Sequence, residues 1–137
     1  MDRIDKILNH DLFLYHLGKN NAAEADRRFC RHGMVHFLDV ARIGTIIALE
    51  EGLKIDREWI YAAALLHDCG KHEQYENGIP HEQASARIAP EILKACGFND
   101  EETGVIVTAI SRHRDPEAAK EKNLNGILYR ADKASRA

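Results

Sequence analysis

The stretch YAAALLHDCGKH at residues 61–72 runs six small or apolar residues directly into His67 and Asp68. Alanine and leucine side chains let such a segment pack tightly, so its polar end is drawn toward the interior. An imidazole and a carboxylate buried there must be hydrogen-bonded, paired with charge or bound to a metal. Whatever the chain folds into has to bring partners to residues 67 and 68.

The remaining pattern is helical. Three prolines and few alternating β-branched runs leave little room for sheet, so the expected fold class is all-α, a compact bundle of about six helices. Apolar spacing predicts helices over 2–17 and 22–51, the second weakened at Gly33 and Gly44 and closed by Gly52. Asp56 reads as the N-cap of a third helix ending near Gly70. Residues 71–80, KHEQYENGIP, read as a loop because they hold Asn77-Gly78 and Pro80. Further helices are expected over 81–96, over 100–113 behind an Asn99/Glu102 capping box, and over 124–135. No repeat or low-complexity linker interrupts the chain, so one domain over 1–137 is expected.

A length of 137 residues suffices for one buried core, and a net charge of −3 offers no global basic field for a nucleic acid polymer. No apolar run reaches the ~18 residues of a membrane span. The first residues, MDRIDKILNHDLF, carry acids where a secretory signal has an apolar core. Cys30, Cys69 and Cys96 are odd in number and widely spaced, which fits reduced thiols in a cytoplasmic protein.

Eight histidines make placement informative. His67-Asp68 suits a divalent transition metal, although His67 capping carbonyls and Asp68 pairing with Lys71 would serve a purely structural end. His32 and His36 stand one helical turn apart and could chelate an ion or lie on a surface. Asp132, inside LYRADKASR, reads in isolation as an ordinary surface acid.

Taken in order, His36, His67-Asp68 and Asp132 form an H…HD…D series. HFLDVARI, AALLHDCGK and LYRADK, the contexts of its members, resemble the corresponding segments of the HD superfamily of metal-dependent phosphohydrolases. The resemblance spans about residues 30–136. It implies that His36, His67, Asp68 and Asp132 hold one metal ion, with His32 flanking, either behind a ligand or facing substrate. His81 in GIPHEQASA and His113 in AISRHR resemble the additional ligands of the two-metal members, particularly the bacterial diadenosine tetraphosphate hydrolases. In that arrangement Asp68 bridges two ions and His81 and His113 hold the second. His10, His16 and His72 match nothing in the family and read as surface or packing residues.

A divalent ion in such a site makes a hydroxide nucleophile from water near neutral pH, and the anionic transition state then calls for cations. Lys71, three residues after Asp68, is the first choice for catalysis and substrate binding, followed by Arg114 and Lys133; Arg112 and Arg136 also flank the series. Tyr75 or Tyr129 could stack on a base, although packing is the commoner use of such residues. The resemblance implies a phosphohydrolase acting on a small phosphorylated metabolite, a nucleotide first, with homo-oligomerisation left open. One or two divalent ions are expected; the resemblance implies iron first if two, manganese next, while the donor types also suit cobalt, nickel and zinc. Two alternatives stay open: a non-catalytic nucleotide-binding or regulatory domain, and a di-iron oxygenase on the same fold.

Overall fold

The computed structural model describes residues 1–25 and 33–136, all helix and connection, with no strand among them. The expected residues His32 and Cys30 lie outside the described residues. α4 (Arg57–Leu66) runs through the centre. Its N-cap Asp56 accepts a hydrogen bond from the Glu58 amide at 2.8 Å, and Ile60 and residues 62–66 are all buried. A helix apolar on every side needs neighbours on every side. α3 (Met34–Glu50) and α8 (Leu124–Ala134) cover one flank, and α7 (Asp100–Ser111) and α6 (His81–Ala95) cover another.

Gly44 leaves α3 (Met34–Glu50) unbroken. It lies inside α3, where an added Cβ would come within 3.0 Å of Ile60 and 3.2 Å of Ile127. Hydrogen in place of a side chain lets three helices close together. α7 begins with the expected capping box, Asn99 and Glu102 each bonding the other's amide. Glu102 also accepts from Trp59 Nε1 at 2.7 Å and from Arg3, whose guanidinium bonds Glu58 and covers the Phe98 ring at 4.1 Å. This network ties the N-terminal α1 (Asp2–Leu8) to the core.

Three expectations are corrected. The helix expected over 2–17 breaks at Asn9: the His10 ring accepts from the Leu12 amide at 3.1 Å and caps a separate α2 (Asp11–Ala23). The helix expected over 22–51 is instead the end of α2 and, after Gly33 as N-cap, α3. The expected loop 71–80 contains α5 (Lys71–Asn77), closed by Gly78 in the left-handed region at φ 72°. Its one fully covered side chain is His72, so it carries no apolar stripe to read. With the 3-10 turn Pro116–Lys120, the described residues hold more helical pieces than the six expected, each shorter.

Candidate metal centre

The centre forms where α4 ends. His67 and Asp68 follow the last turn of α4 and are fully buried. His36 comes from the first turn of α3, His81 opens α6, His113 follows α7, and Asp132 sits near the end of α8. Five separate segments therefore converge on Asp68. One Asp68 oxygen, Oδ2, lies 3.4 Å from His36 Nε2 and 3.2 Å from His67 Nε2. The other, Oδ1, lies 3.4 Å from His81 Nε2 and 3.3 Å from His113 Nε2. Asp132 Oδ1 closes the first group, 3.2 Å from His36 and 3.4 Å from His67. The result is two adjoining donor clusters, His36/His67/Asp68/Asp132 and Asp68/His81/His113, sharing one carboxylate.

Hydrogen bonds on the far side of the rings fix their tautomers. His67 Nδ1 donates to the Ala64 carbonyl at 2.6 Å, and His113 Nδ1 donates to the Ile110 carbonyl at 2.7 Å. His81 Nδ1 donates to Gln74 Oε1 at 2.7 Å; that atom also accepts the His81 amide, so it is the amide oxygen. Each Nδ1 thus carries the hydrogen and each Nε2 presents a lone pair. His81 Nε2 and His113 Nε2 then face each other at 3.1 Å, two acceptors without a hydrogen between them. His67 Nε2 is buried with no hydrogen-bond partner among the described residues. Opposed lone pairs beside a buried carboxylate are repulsive unless a cation sits among them. The donor set therefore fits divalent metal ions, and imidazole with carboxylate suits the transition series.

Without an ion, protons take up part of that role. Burial alone would lower the His67 pKa, but Asp68 and Asp132 raise it to about 10. Asp68 feels the same burial upward, and the charge of His67, together with a bond from His36, holds it well below the carboxylate range. His81 goes the other way, down to about 3, through burial and the charges of His113, Lys71 and Arg114 against the pull of Asp68.

The His67 shift sets a stability prediction. An unfolded histidine titrates near 6.5. Between there and about 10 the folded, metal-free chain holds a proton that the unfolded chain has released. That contribution is complete below the unfolded value and is lost as pH rises. Denaturation in chelator is expected to show lower stability at pH 9 than at pH 7, and a divalent ion is expected to remove the slope. A metal-free protein equally stable at both values would contradict the assignment.

The cations sort unequally. Lys71 is half-buried, with Nζ 3.3 Å from His81 Nδ1 and 5.7 Å from the Tyr75 ring. Burial lowers its pKa, as do Arg114 and Arg136, whose charges reach it, while Asp68 opposes them. Arg136 also donates to Asp132 Oδ1 at 3.3 Å. Lys133 is exposed, its ammonium 5.6 Å from the Tyr129 ring. Arg112 is engaged by Asp115 and Glu121. Tyr75 donates its hydroxyl to Glu24 at 2.7 Å.

Sequence reasoning passed over Gln74, Asn20 and Ser135. Gln74 orients His81, Asn20 bonds the Asp68 backbone, and Ser135 Oγ stands 3.4 Å from His36 Nδ1. Ligand histidines usually have such partners. That regularity was the one available signal for looking beside each of them.

A family model described as HD domain matches residues 33–137. An uncharacterized protein of Clostridium beijerinckii is 49% identical over 136 residues, covering 99% of this chain and 85% of that protein. The crystal structure of a predicted HD superfamily hydrolase from an uncultured Thermotogales bacterium aligns with a TM-score of 0.67 at 27% identity. The alignment covers 88% of this chain and 66% of the other, so the chain spans just under two thirds of that protein.

Proposed function

The chain belongs to the HD-domain family, and from that premise we propose that it is a phosphohydrolase using two divalent metal ions, acting on a small phosphorylated metabolite, a nucleotide first. The observation that carries this reading is Asp68, whose two oxygens face two separate groups of imidazole nitrogens. When bound, the ions lower the pKa of water and polarise a phosphoryl oxygen. The protein's own residues supply the geometry and the surrounding charge. His36, His67 and Asp132 would hold one ion, His81 and His113 the other, with Asp68 common to both.

Lys71, Arg114 and Arg136 place three positive charges around the same centre. A phosphoryl group gathering negative charge in its transition state is stabilised by such a set. Lys71 would act beside the second cluster, from the turn that carries Asp68. Its partial burial strengthens its attraction for an anion relative to a lysine in water. Lys133 would contribute less, because its ammonium rests against Tyr129. The neighbour's description as a predicted hydrolase supports hydrolysis as the reaction class. All six ligand positions are filled, which favours a working site over a regulatory relic.

The reading is tested by incubating iron- and manganese-loaded protein with nucleoside mono-, di- and polyphosphates, dinucleoside polyphosphates and simple phosphomonoesters. Metal-dependent phosphate release from at least one class is expected. Oxygen uptake by the iron form without phosphate release would replace the proposal with an oxidative one.

A further inference from the structure

α2 has no apolar stripe of the usual kind, and it ends ten residues before the segment that the family model matches. His16, Asn20 and Glu24 follow one another at helical spacing and are all buried. Each meets the segment that starts at Asp68. His16 Nδ1 lies 2.8 Å from His72 Nε2 with the rings stacked, and Glu24 receives the Tyr75 hydroxyl. Asn20 does the most. It is fully buried, its Nδ2 donates to the Asp68 carbonyl at 2.8 Å, and its Oδ1 accepts the His72 amide at 2.8 Å. One partner is a carbonyl and the other an N–H, so the orientation of the amide is determined.

The turn between α4 and α5 is thus gripped from both sides. On the far side the Gly70 amide donates to Ser85 Oγ at 2.9 Å, and a Cβ at Gly70 would sit 2.7 Å from Ala84. α6 packs against one side of the turn, and Asn20 of α2 bonds it from the other. A hydrocarbon at position 20 would leave the buried His72 amide without its acceptor.

We propose that Asn20 is a positioning residue for the metal centre: by tying the Asp68 carbonyl to the His72 amide it sets where the shared Asp68 carboxylate lies between the two ion positions. The inference rests on the two-ion reading above. The His81/His113 position has Asp68 as one of three donors, whereas the His36 position has it as one of four. Misplacing Asp68 therefore weakens the second position more.

The test is titration of chelator-treated protein with Co2+, followed by its visible absorption and by competition with a chromophoric chelator. Wild-type protein takes up two ions. Asn20→Leu is expected to keep its helical circular dichroism and bind the first ion much as wild type does, with the second at least about ten-fold weaker. Phe13→Leu, which loosens α2 through the apolar core without touching the turn, is expected to lower the melting temperature and leave both affinities unchanged. If Asn20→Leu does not fold, Asn20→Ser gives the same readout with a smaller loss. Equal second-ion affinity in wild type and the Asn20 variant would overturn this inference and leave the two-ion reading standing, as would Phe13→Leu weakening the second ion equally. Uptake of one ion by wild type would overturn both.

Discussion

Asp68→Ala is expected to empty the second metal position, to weaken the first and to lower phosphate release on the order of 10³-fold or more. The expectation follows from geometry: Asp68 is the one donor common to the two clusters, with Oδ2 toward His36 and His67 and Oδ1 toward His81 and His113. Removing it leaves the second position with two imidazoles, too few for tight binding of a divalent ion. The first position keeps three donors but loses half its negative charge. His113→Ala should differ in kind, costing the second ion and sparing the first. Metal content by mass spectrometry, measured beside phosphate release, separates the cases. Retention of the second ion, unaltered affinity for the first, or retained hydrolysis in Asp68→Ala would show that the carboxylate is not the shared ligand. The variant also reports on His67, because Asp68 is the stronger of the influences that raise its pKa. The fall in metal-free stability between pH 7 and pH 9 should flatten with it.

Gly126→Ala is expected to be the most destabilising single-methyl change near the site. Gly126 lies in the first turn of α8, where a Cβ would fall 1.9 Å from the Glu121 carbonyl oxygen and 3.0 Å from that of Ala118. Both obstacles are backbone atoms, so no rotamer change relieves the overlap. α8 must move away from the 3-10 turn that packs on it. A loss of about 3 kcal/mol or more follows, roughly 10 °C in melting temperature for a chain of this size. Because α8 also carries Asp132, which Arg136 bonds from just beyond the helix end, the first ion should bind more weakly in whatever folds. Gly104, with open space around its Cβ position, is the matched control and should accept alanine with little change. An unaltered melting temperature in Gly126→Ala would mean that α8 and the turn do not approach so closely.

The donor clusters were legible because their residues carry their own chemistry. His67-Asp68 stands out at the end of an apolar helix, and His36, His81, His113 and Asp132 sit in helical contexts that survive in the fold. The capping box at Asn99 was legible for the same reason, its two members being three residues apart. The supporting residues were not. Asn20 lies 48 residues from Asp68 and 52 from His72, and nothing in the letters around an asparagine says which backbone groups it will meet. α5 escaped notice because it is held by polar contacts, through His72, Gln74 and Tyr75, and hydrophobic periodicity reports only apolar burial. The break at Asn9 was hidden by leucines and isoleucines that keep an approximate helical spacing across it, while the cap that makes it, the His10 ring, is an unusual one. Arg136 ranked below Lys133 on sequence, and one residue pair in the fold, Arg136 with Asp132, reverses the order.

The most direct test of the two-ion centre is anomalous scattering from crystals of metal-loaded protein, collected across the iron, manganese and zinc edges. The account predicts two peaks per chain, one among His36, His67, Asp68 and Asp132 and one among Asp68, His81 and His113, with Asp68 between them. A single peak, with the His81 and His113 rings turned away from Asp68, would contradict it.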